Sequence, residues 1–239
     1  MPTQDVTVPR GPLRLAGQLH TPDELPEGEP RPAIVLSTPG SSVKEQIGAN
    51  YASRLAERGF IAIAVDPANQ GQSEGDPRDL EDPYARGEDL RSTIDFLTTL
   101  DAVDADRIGL LGICAGGGYA VHTAMTEPRI KAISTVVPVN IGRAFRQADT
   151  SPGAVRTRLE SVATQRTLEA RGGEPARDPW IPDTLEQAEQ WGITDVDVLQ
   201  AVSYYRTPRA ATTTPRTVGL SAATPCSWAS TPSTSPASC

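Results

Sequence analysis

Histidine is almost missing from this chain: only His20 and His122 occur among its 239 residues. That leaves few candidates for a catalytic base and no spacing suited to a zinc site. Cysteine is equally sparse. Cys114, Cys226 and Cys239 form no C-x-x-C pair, and an odd count without a secretory signal fits a reducing, cytoplasmic setting. No run approaches the roughly 18 apolar residues of a membrane span, and the opening "MPTQDVTVPRGPLRLAG" lacks the apolar centre of a signal peptide. Positive charge is also short: 22 Lys and Arg face 30 Asp and Glu, for a net charge of -8. That balance argues against nucleic acid and anionic membranes as partners. The sequence calls for no cofactor and no metal, and it is silent on oligomeric state.

What is present is an alternation of apolar runs and helical periods. "VTVP" and "PLRLAGQLH" read as short opening strands. "PAIVLS" (32–37), "FIAIAV" (60–65), "RIGLLGI" (107–113) and "IKAISTVV" (130–137) are continuous apolar runs of the kind buried on both faces of a parallel sheet. Between them the spacing predicts three helices. One runs from about Val43 to Arg58, with Ile47, Tyr51 and Leu55 on one face and a capping box of Ser42 and Glu45. A second starts at Asp82-Pro83 and carries Leu90, Ile94 and Leu97 to about Leu100. The third follows Cys114 and ends near Glu127-Pro128. The expected class is α/β, a mostly parallel sheet with helices on both faces, over residues 1–141.

Residues 142–206 contain helical stretches and no strand signal, as a cap or lid over a sheet edge would. Residues 207–239 hold no Asp, Glu or Lys and are rich in Thr, Ala, Ser and Pro, which predicts a disordered tail.

The stretch that carries chemistry is Gly112-Ile113-Cys114-Ala115-Gly116, between a strand and a helix. G-x-nucleophile-x-G in that context is a nucleophile elbow: the glycines let strand and helix pass closely, and the turn lifts the nucleophile clear of the sheet. It also sets Cys114 at a helix amino terminus, which favours thiolate. The plainer reading is a small buried cysteine in a glycine-rich turn. A phosphate loop fits less well, because the run lacks the G-x-x-x-x-G-K-[ST] lysine. The amide of Ala115 is one candidate oxyanion donor; the loop "STPGSS" offers Gly40 or Ser41 as the other.

A base is hard to place. His122 lies eight residues along the helix from Cys114, roughly 12 Å away at about 1.5 Å per residue. His20 ends an opening strand, and Asp149, Asp178, Asp183, Asp195 and Asp197 read as surface or capping carboxylates.

Taken together, "TPGSSVKEQ" (38–46), "VDPANQGQSEGDPRD" with its Gly71-Gln72-Ser73 turn, and "DADRIGLLGICAGGGYA" resemble the α/β-hydrolase superfamily, most closely its dienelactone hydrolase-like members. The likeness runs from about residue 12 to about residue 206, with Thr38 where those proteins often have His, and Ser41 and Ser42 in place of glycines. It implies cleavage of a small ester, thioester or lactone substrate through Cys114 and an acyl-enzyme. Acyl transfer to an acceptor other than water and a non-catalytic ligand-binding fold are the alternatives. It also implies that later strands, with their acid and base, are absent beyond about residue 206, where truncation or a frameshift would end the likeness.

Overall fold

The structure, a computed structural model, describes residues 2–24, 28–178, 181–208, 210 and 220–221. A hairpin of β1 (Thr3–Arg10) and β2 (Leu13–His20) opens the chain and leads into β3 (Arg31–Ser37). After β3 comes a wide π-type turn, Lys44–Gly48, and only then α1 (Ala49–Ala56). The expected helix start is therefore displaced, and so is its cap. Gln46, not Glu45, serves there: its Oε1 accepts from the Val43 amide at 3.1 Å and from the Ser42 hydroxyl at 3.0 Å. Glu45 instead accepts from Lys44 Nζ at 2.6 Å.

The next strand, β4 (Ile61–Val65), is buried at all five positions, as an apolar run covered on both faces should be. Helix α2 (Pro83–Thr98) begins as expected, with the Asp82 carboxylate accepting from the amides of Tyr84 and Ala85 and proline in the first turn. Strand β5 (Val103–Ile113) runs into α3 (Ala115–Ala124), and β6 (Ile130–Val136) follows.

The six strands lie in the order β1-β2-β4-β3-β5-β6. From β4 to β6 the pairing is parallel, while β1 and β2 add antiparallel strands at one side. On one face Leu90, Ile94 and Leu97 of α2 and Tyr119 and Ala120 of α3 pack on Leu15, Val35, Ile63 and Leu110. On the other, Tyr51 and Leu55 of α1 cover Leu36, Ala62, Ala64 and Leu111. Each large side chain so buried stabilises the fold by about 1.5–3 kcal/mol. The sheet is the α/β arrangement that the apolar runs implied. Its far side is open: β6 is the last strand among the described residues, and Ile133 is 42% exposed.

Beyond β6 the chain forms α4 (Ile141–Gln147), α5 (Ala154–Ala170), α6 (Leu185–Gln190) and α7 (Val196–Tyr205). Side chains of Asn140, Thr184 and Asp195 cap three of them. Helix α5 is mostly exposed, with Val162 its one buried residue. The expectation of a strand-free segment needs correction: β7 (Arg177–Asp178) pairs antiparallel with β8 (Leu220–Ser221). Two residues are too short to leave an alternating signal in sequence. Apart from Thr207, Pro208, Ala210 and β8, the expected disordered tail lies outside the described residues, including Cys226 and Cys239. Among the described residues no helix is long and apolar enough to cross a membrane.

Candidate functional site

Cys114 sits where β5 ends and α3 begins, partly exposed, with φ 55° and ψ −123°. A non-glycine residue with such a φ costs roughly 1–3 kcal/mol and persists only where its surroundings enforce it. Three backbone hydrogen bonds do so here. The Cys114 amide donates to the Val136 carbonyl at 3.0 Å, and the Cys114 carbonyl accepts from Gly117 at 3.0 Å and from Val139 at 2.9 Å.

The flanking glycines are required by close approach. A Cβ on Gly112 would lie 2.5 Å from the Gly117 Cα, and one on Gly116 would lie 1.9 Å from the Ser37 carbonyl oxygen. The same position lies close to the Thr38 carbonyl oxygen, so the end of β3 and the first residue of the loop that follows it lie directly against the turn that carries Cys114.

The expected donor amides differ in whether they are already committed. Ala115, in the first turn of α3, has no acceptor for its amide among the described residues, and neither has Gly40. Ser41 differs from expectation. Its amide donates to Glu81 Oε2 at 2.9 Å, so it is turned into the protein and is not free for a bound oxyanion.

Glu81, 1% exposed, is the centre of a buried network that shapes this loop. Its Oε2 also accepts from Gln70 Nε2 at 2.7 Å, and its Oε1 lies 3.6 Å from Arg86 Nε. The Arg86 guanidinium donates to the Thr38 carbonyl and lies 5.0 Å from the centre of the Tyr119 ring. Burial and then the Glu81 charge push the Tyr119 phenol well above its ordinary range, so it stays neutral. Sequence reasoning passed over Glu81 as one acid in a polar loop; only the fold brings it 40 positions back to Ser41.

The loop after β4 also braces the site without facing it. Buried Asp66 accepts from the Lys44 amide at 2.7 Å, from Lys44 Nζ at 3.1 Å and from the Gln72 amide at 2.8 Å. Burial alone would lower Lys44, but its bonds to Glu45 and Asp66 outweigh that and hold the ammonium above its ordinary value. Ser73 of the Gly71-Gln72-Ser73 turn donates to the Asp66 carbonyl at 2.6 Å and accepts from the Ala16 amide at 2.9 Å. That turn ties the loop to β2.

Neither histidine joins Cys114. His20 pairs across the sheet with Ala62, Ala62 with Ile34, and Ile34 with Gly109. Three strand spacings, about 14 Å, and five residues of rise, about 16 Å, therefore separate it from Cys114. Its Nδ1 is 3.2 Å from the Thr3 hydroxyl, and burial holds the ring below its ordinary value. His122 is half-buried, two turns along α3. Among the described residues no cluster of three His, Cys, Asp or Glu could hold a metal. The expected surface carboxylates behave as such: Asp149 and Asp195 cap local turns, and Asp183 pairs with Arg206 at 3.0 Å.

The last helix reaches the segment that follows the β3 loop. Asn50 Nδ2 donates to the Tyr204 hydroxyl at 3.3 Å, and Gln46 Nε2 donates to the Ala210 carbonyl at 3.3 Å. The neighbouring Tyr205 is half-buried, and burial pushes its phenol up to about 12. A separate cleft of about 660 Å³ lies between α4 and α5, lined by Phe145, Asp149, Val155 and Arg158, and no residue of the Cys114 turn borders it.

Comparison with known proteins follows this geometry. The profile of the X-Pro dipeptidyl-peptidase (S15) family matches residues 11–213. The chain is 43% identical over 201 residues to YcjY of Escherichia coli, an alignment that covers 83% of this chain and 64% of that protein. It is 36% identical over 200 residues to PA2218 of Pseudomonas aeruginosa, covering 82% of this chain and 52% of that one. The crystal structure of PA2218 superposes with a TM-score of 0.85 at 30% identity, over 97% of this chain and 72% of that chain. Thiohydrolase apmlB of Arthrinium phaeospermum is 33% identical over 158 residues, 66% of this chain and 50% of its own length. The aligned chain thus spans less than two thirds of the length of the curated relatives YcjY and PA2218.

Proposed function

Because the chain belongs to the X-Pro dipeptidyl-peptidase (S15) family of the α/β-hydrolase superfamily, we propose that it is a hydrolase of small esters, thioesters or lactones that forms an acyl-enzyme on Cys114. The observation that carries this reading is the turn itself. Cys114 is held at positive φ between β5 and α3, and the amides of Ala115 and of Gly40, in the loop that leaves the neighbouring strand β3, have no acceptor among the described residues. The name of the thiohydrolase relative supports the substrate class.

The first step is attack of Cys114 Sγ on the substrate carbonyl carbon after the thiol proton has passed to solvent. A C–S bond forms, the carbonyl π electrons move to oxygen, and the resulting oxyanion accepts hydrogen bonds from Ala115 and Gly40. Collapse re-forms the carbonyl and expels the alkoxide or thiolate, which takes its proton from water. Hydrolysis of the acyl-cysteine by a second water restores the thiol. Of the two candidates in the β3 loop, Gly40 is the donor in this reading, because Glu81 holds the Ser41 amide.

No histidine lies near Cys114 to take up the thiol proton or to activate that water. Where the base was removed from a serine protease triad, kcat fell on the order of 10⁶-fold. Acylation by an activated ester is therefore expected to outrun deacylation, and acyl-enzyme should accumulate. Intact-mass analysis after p-nitrophenyl acetate, with peptide mapping, tests this. Acetyl on Cys114 that is absent in Cys114→Ala supports the reading. Acetyl elsewhere, or none, sinks it.

A further inference from the structure

Arg86 touches both halves of the Cys114 site. It stands in the first turn of α2, 5% exposed, with its amide donating to the Asp82 carbonyl at 2.9 Å. Its guanidinium meets three different parts of the fold. One η nitrogen donates to the Thr38 carbonyl, just past the end of β3. The central carbon lies over the Tyr119 ring of α3, 5.0 Å from its centre. The Nε lies 3.6 Å from Glu81 Oε1, and the other oxygen of Glu81 accepts from the Ser41 amide at 2.9 Å.

One buried ion pair therefore holds the β3 loop at Thr38 and at Ser41, on either side of Gly40. Between those points the backbone turns tightly. The Ser42 amide donates to the Pro39 carbonyl at 3.2 Å, and Ser41 takes a φ of 55° that a side chain disfavours. Such a conformation persists only while its surroundings enforce it. The Thr38 end is also the point of contact with the nucleophile turn, since a Cβ on Gly116 would lie 2.5 Å from the Thr38 carbonyl oxygen. Arg86 thus bonds to the oxygen that lies against the first turn of α3, and stacks on the same helix one turn later.

We propose that Arg86 is a positioning residue for acylation, setting the Gly40 amide in register with the turn that carries Cys114. The proposal rests on Cys114 as the nucleophile and Gly40 as an oxyanion donor. Buried as it is, Arg86 offers a substrate little surface and acts through the loop. Lysine could not replace it in full. An ammonium has neither the planar fork that serves Thr38 and Glu81 together nor a flat face for Tyr119. The geometric demand is steep, because misplacing a reacting group by about 1 Å can cost on the order of 10²-fold in rate.

Two reactions of the same thiol separate positioning from packing. Acetylation of Cys114 by p-nitrophenyl acetate passes through an oxyanion; alkylation by iodoacetamide is a displacement at saturated carbon and builds none. In the full chain, Arg86→Met keeps much of the side-chain volume and removes the guanidinium. It should slow single-turnover acetylation of Cys114 on the order of 10²-fold, the usual effect of losing one oxyanion donor. Alkylation should keep its rate to within about threefold, a barrier change under about 0.7 kcal/mol. Arg86→Lys still offers Glu81 a counter-charge and should show the same selectivity with a smaller loss. Leu97→Ala opens a cavity near the far end of α2 and controls for lost stability; it should leave the ratio of the two rates unchanged.

Equal losses in both reactions, or the same selective loss in Leu97→Ala, would overturn the proposal, because Arg86 would then only stabilise the fold. Unchanged acetylation in Arg86→Met, with the unaltered chain acetylated at Cys114, would overturn it while leaving the proposed function standing. No acetylation of Cys114 in the unaltered chain would overturn both. Should Arg86→Met fail to fold by circular dichroism, Arg86→Lys decides by the same ratio. A selective loss of acetylation supports the positioning role; a ratio equal to that of the unaltered chain refutes it.

Discussion

Glu81→Ala removes a carboxylate that is 1% exposed and that three neighbours use. The Ser41 amide at 2.9 Å and Gln70 Nε2 at 2.7 Å lose their acceptor, and Arg86, 5% exposed, loses its counter-charge. Breaking a buried pair from one side costs about 3–5 kcal/mol, because the remaining charge stays desolvated. Each orphaned neutral donor would add about 1–3 kcal/mol if counted alone, but the losses share one cavity and are not additive. We therefore expect about 3–5 kcal/mol in total.

Against a domain stability of about 5–15 kcal/mol, that is a large fraction. For a chain of this size it corresponds to a fall in melting temperature of about 6–20 °C. Glu81→Gln keeps an acceptor of the same shape and loses only the charge, so it should fall between Glu81→Ala and the native chain. Thermal unfolding followed by circular dichroism is the assay. A loss below about 1 kcal/mol in Glu81→Ala would mean that water satisfies Arg86 at no cost, and that the network does not shape the Ser41 loop.

Gly116→Ala places a methyl group 1.9 Å from a backbone oxygen, whereas Gly59→Ala, at φ +87°, meets nothing within 4 Å. The first should therefore cost well over about 3 kcal/mol and the second only about 1–2 kcal/mol of backbone strain, measured as shifts in urea midpoint; similar shifts would refute the close crossing at the Cys114 turn. Burial raises Asp89 from 3.8 to about 6 despite its bonds to the Ala68 amide and Arg10. A raised folded value means that this contribution is full below the unfolded value and is lost as pH rises through about 6. Between pH 7 and pH 5 it should add about 1.4 kcal/mol to stability, and Asp89→Asn should abolish that gain while leaving the opposite trend from His20 unchanged. Parallel profiles for the two proteins would contradict it. The open β6 edge, with Ile133 42% and Val137 73% exposed, should bind ANS and promote self-association, which Ile133→Lys should reduce in sedimentation velocity. A native chain that sediments as a single sharp monomer and binds no ANS would refute this.

The parts of the fold that depend on short stretches were readable in advance. The apolar runs at 32–37 and 60–65 name buried strands by themselves, and Asp82-Pro83 announces a helix through chemistry confined to four residues. Gly112 and Gly116 pointed correctly to a close crossing, because glycine at that spacing has few other uses. What sequence could not supply was long-range competition. Ser41 was a fair candidate donor until Glu81, 40 residues away, took its amide. Glu45 matched a capping pattern, but the wide turn at Lys44–Gly48 brought Gln46 into the capping position instead. The docking of α7 carried no signal at all: the contact of Tyr204 with Asn50 depends on how a whole cap segment folds back. The scarcity of histidine, by contrast, was visible at once and gained weight when sheet register put His20 at the opposite end of the strands.

The docking of α7 on the segment around Ser42–Asn50 joins residues 154 and 164 positions apart in the chain. On a ribosome this fixes an order of events. Cys114, Gly40 and Ala115 leave the exit tunnel long before Tyr205, which follows Cys114 by 91 residues, or about 5–18 s at ordinary elongation rates. During that interval Asn50 and Gln46 are already made but their partners in the folded protein, Tyr204 and Ala210, are not. The segment that follows the β3 loop therefore takes its final set of hydrogen bonds only when translation has passed α7.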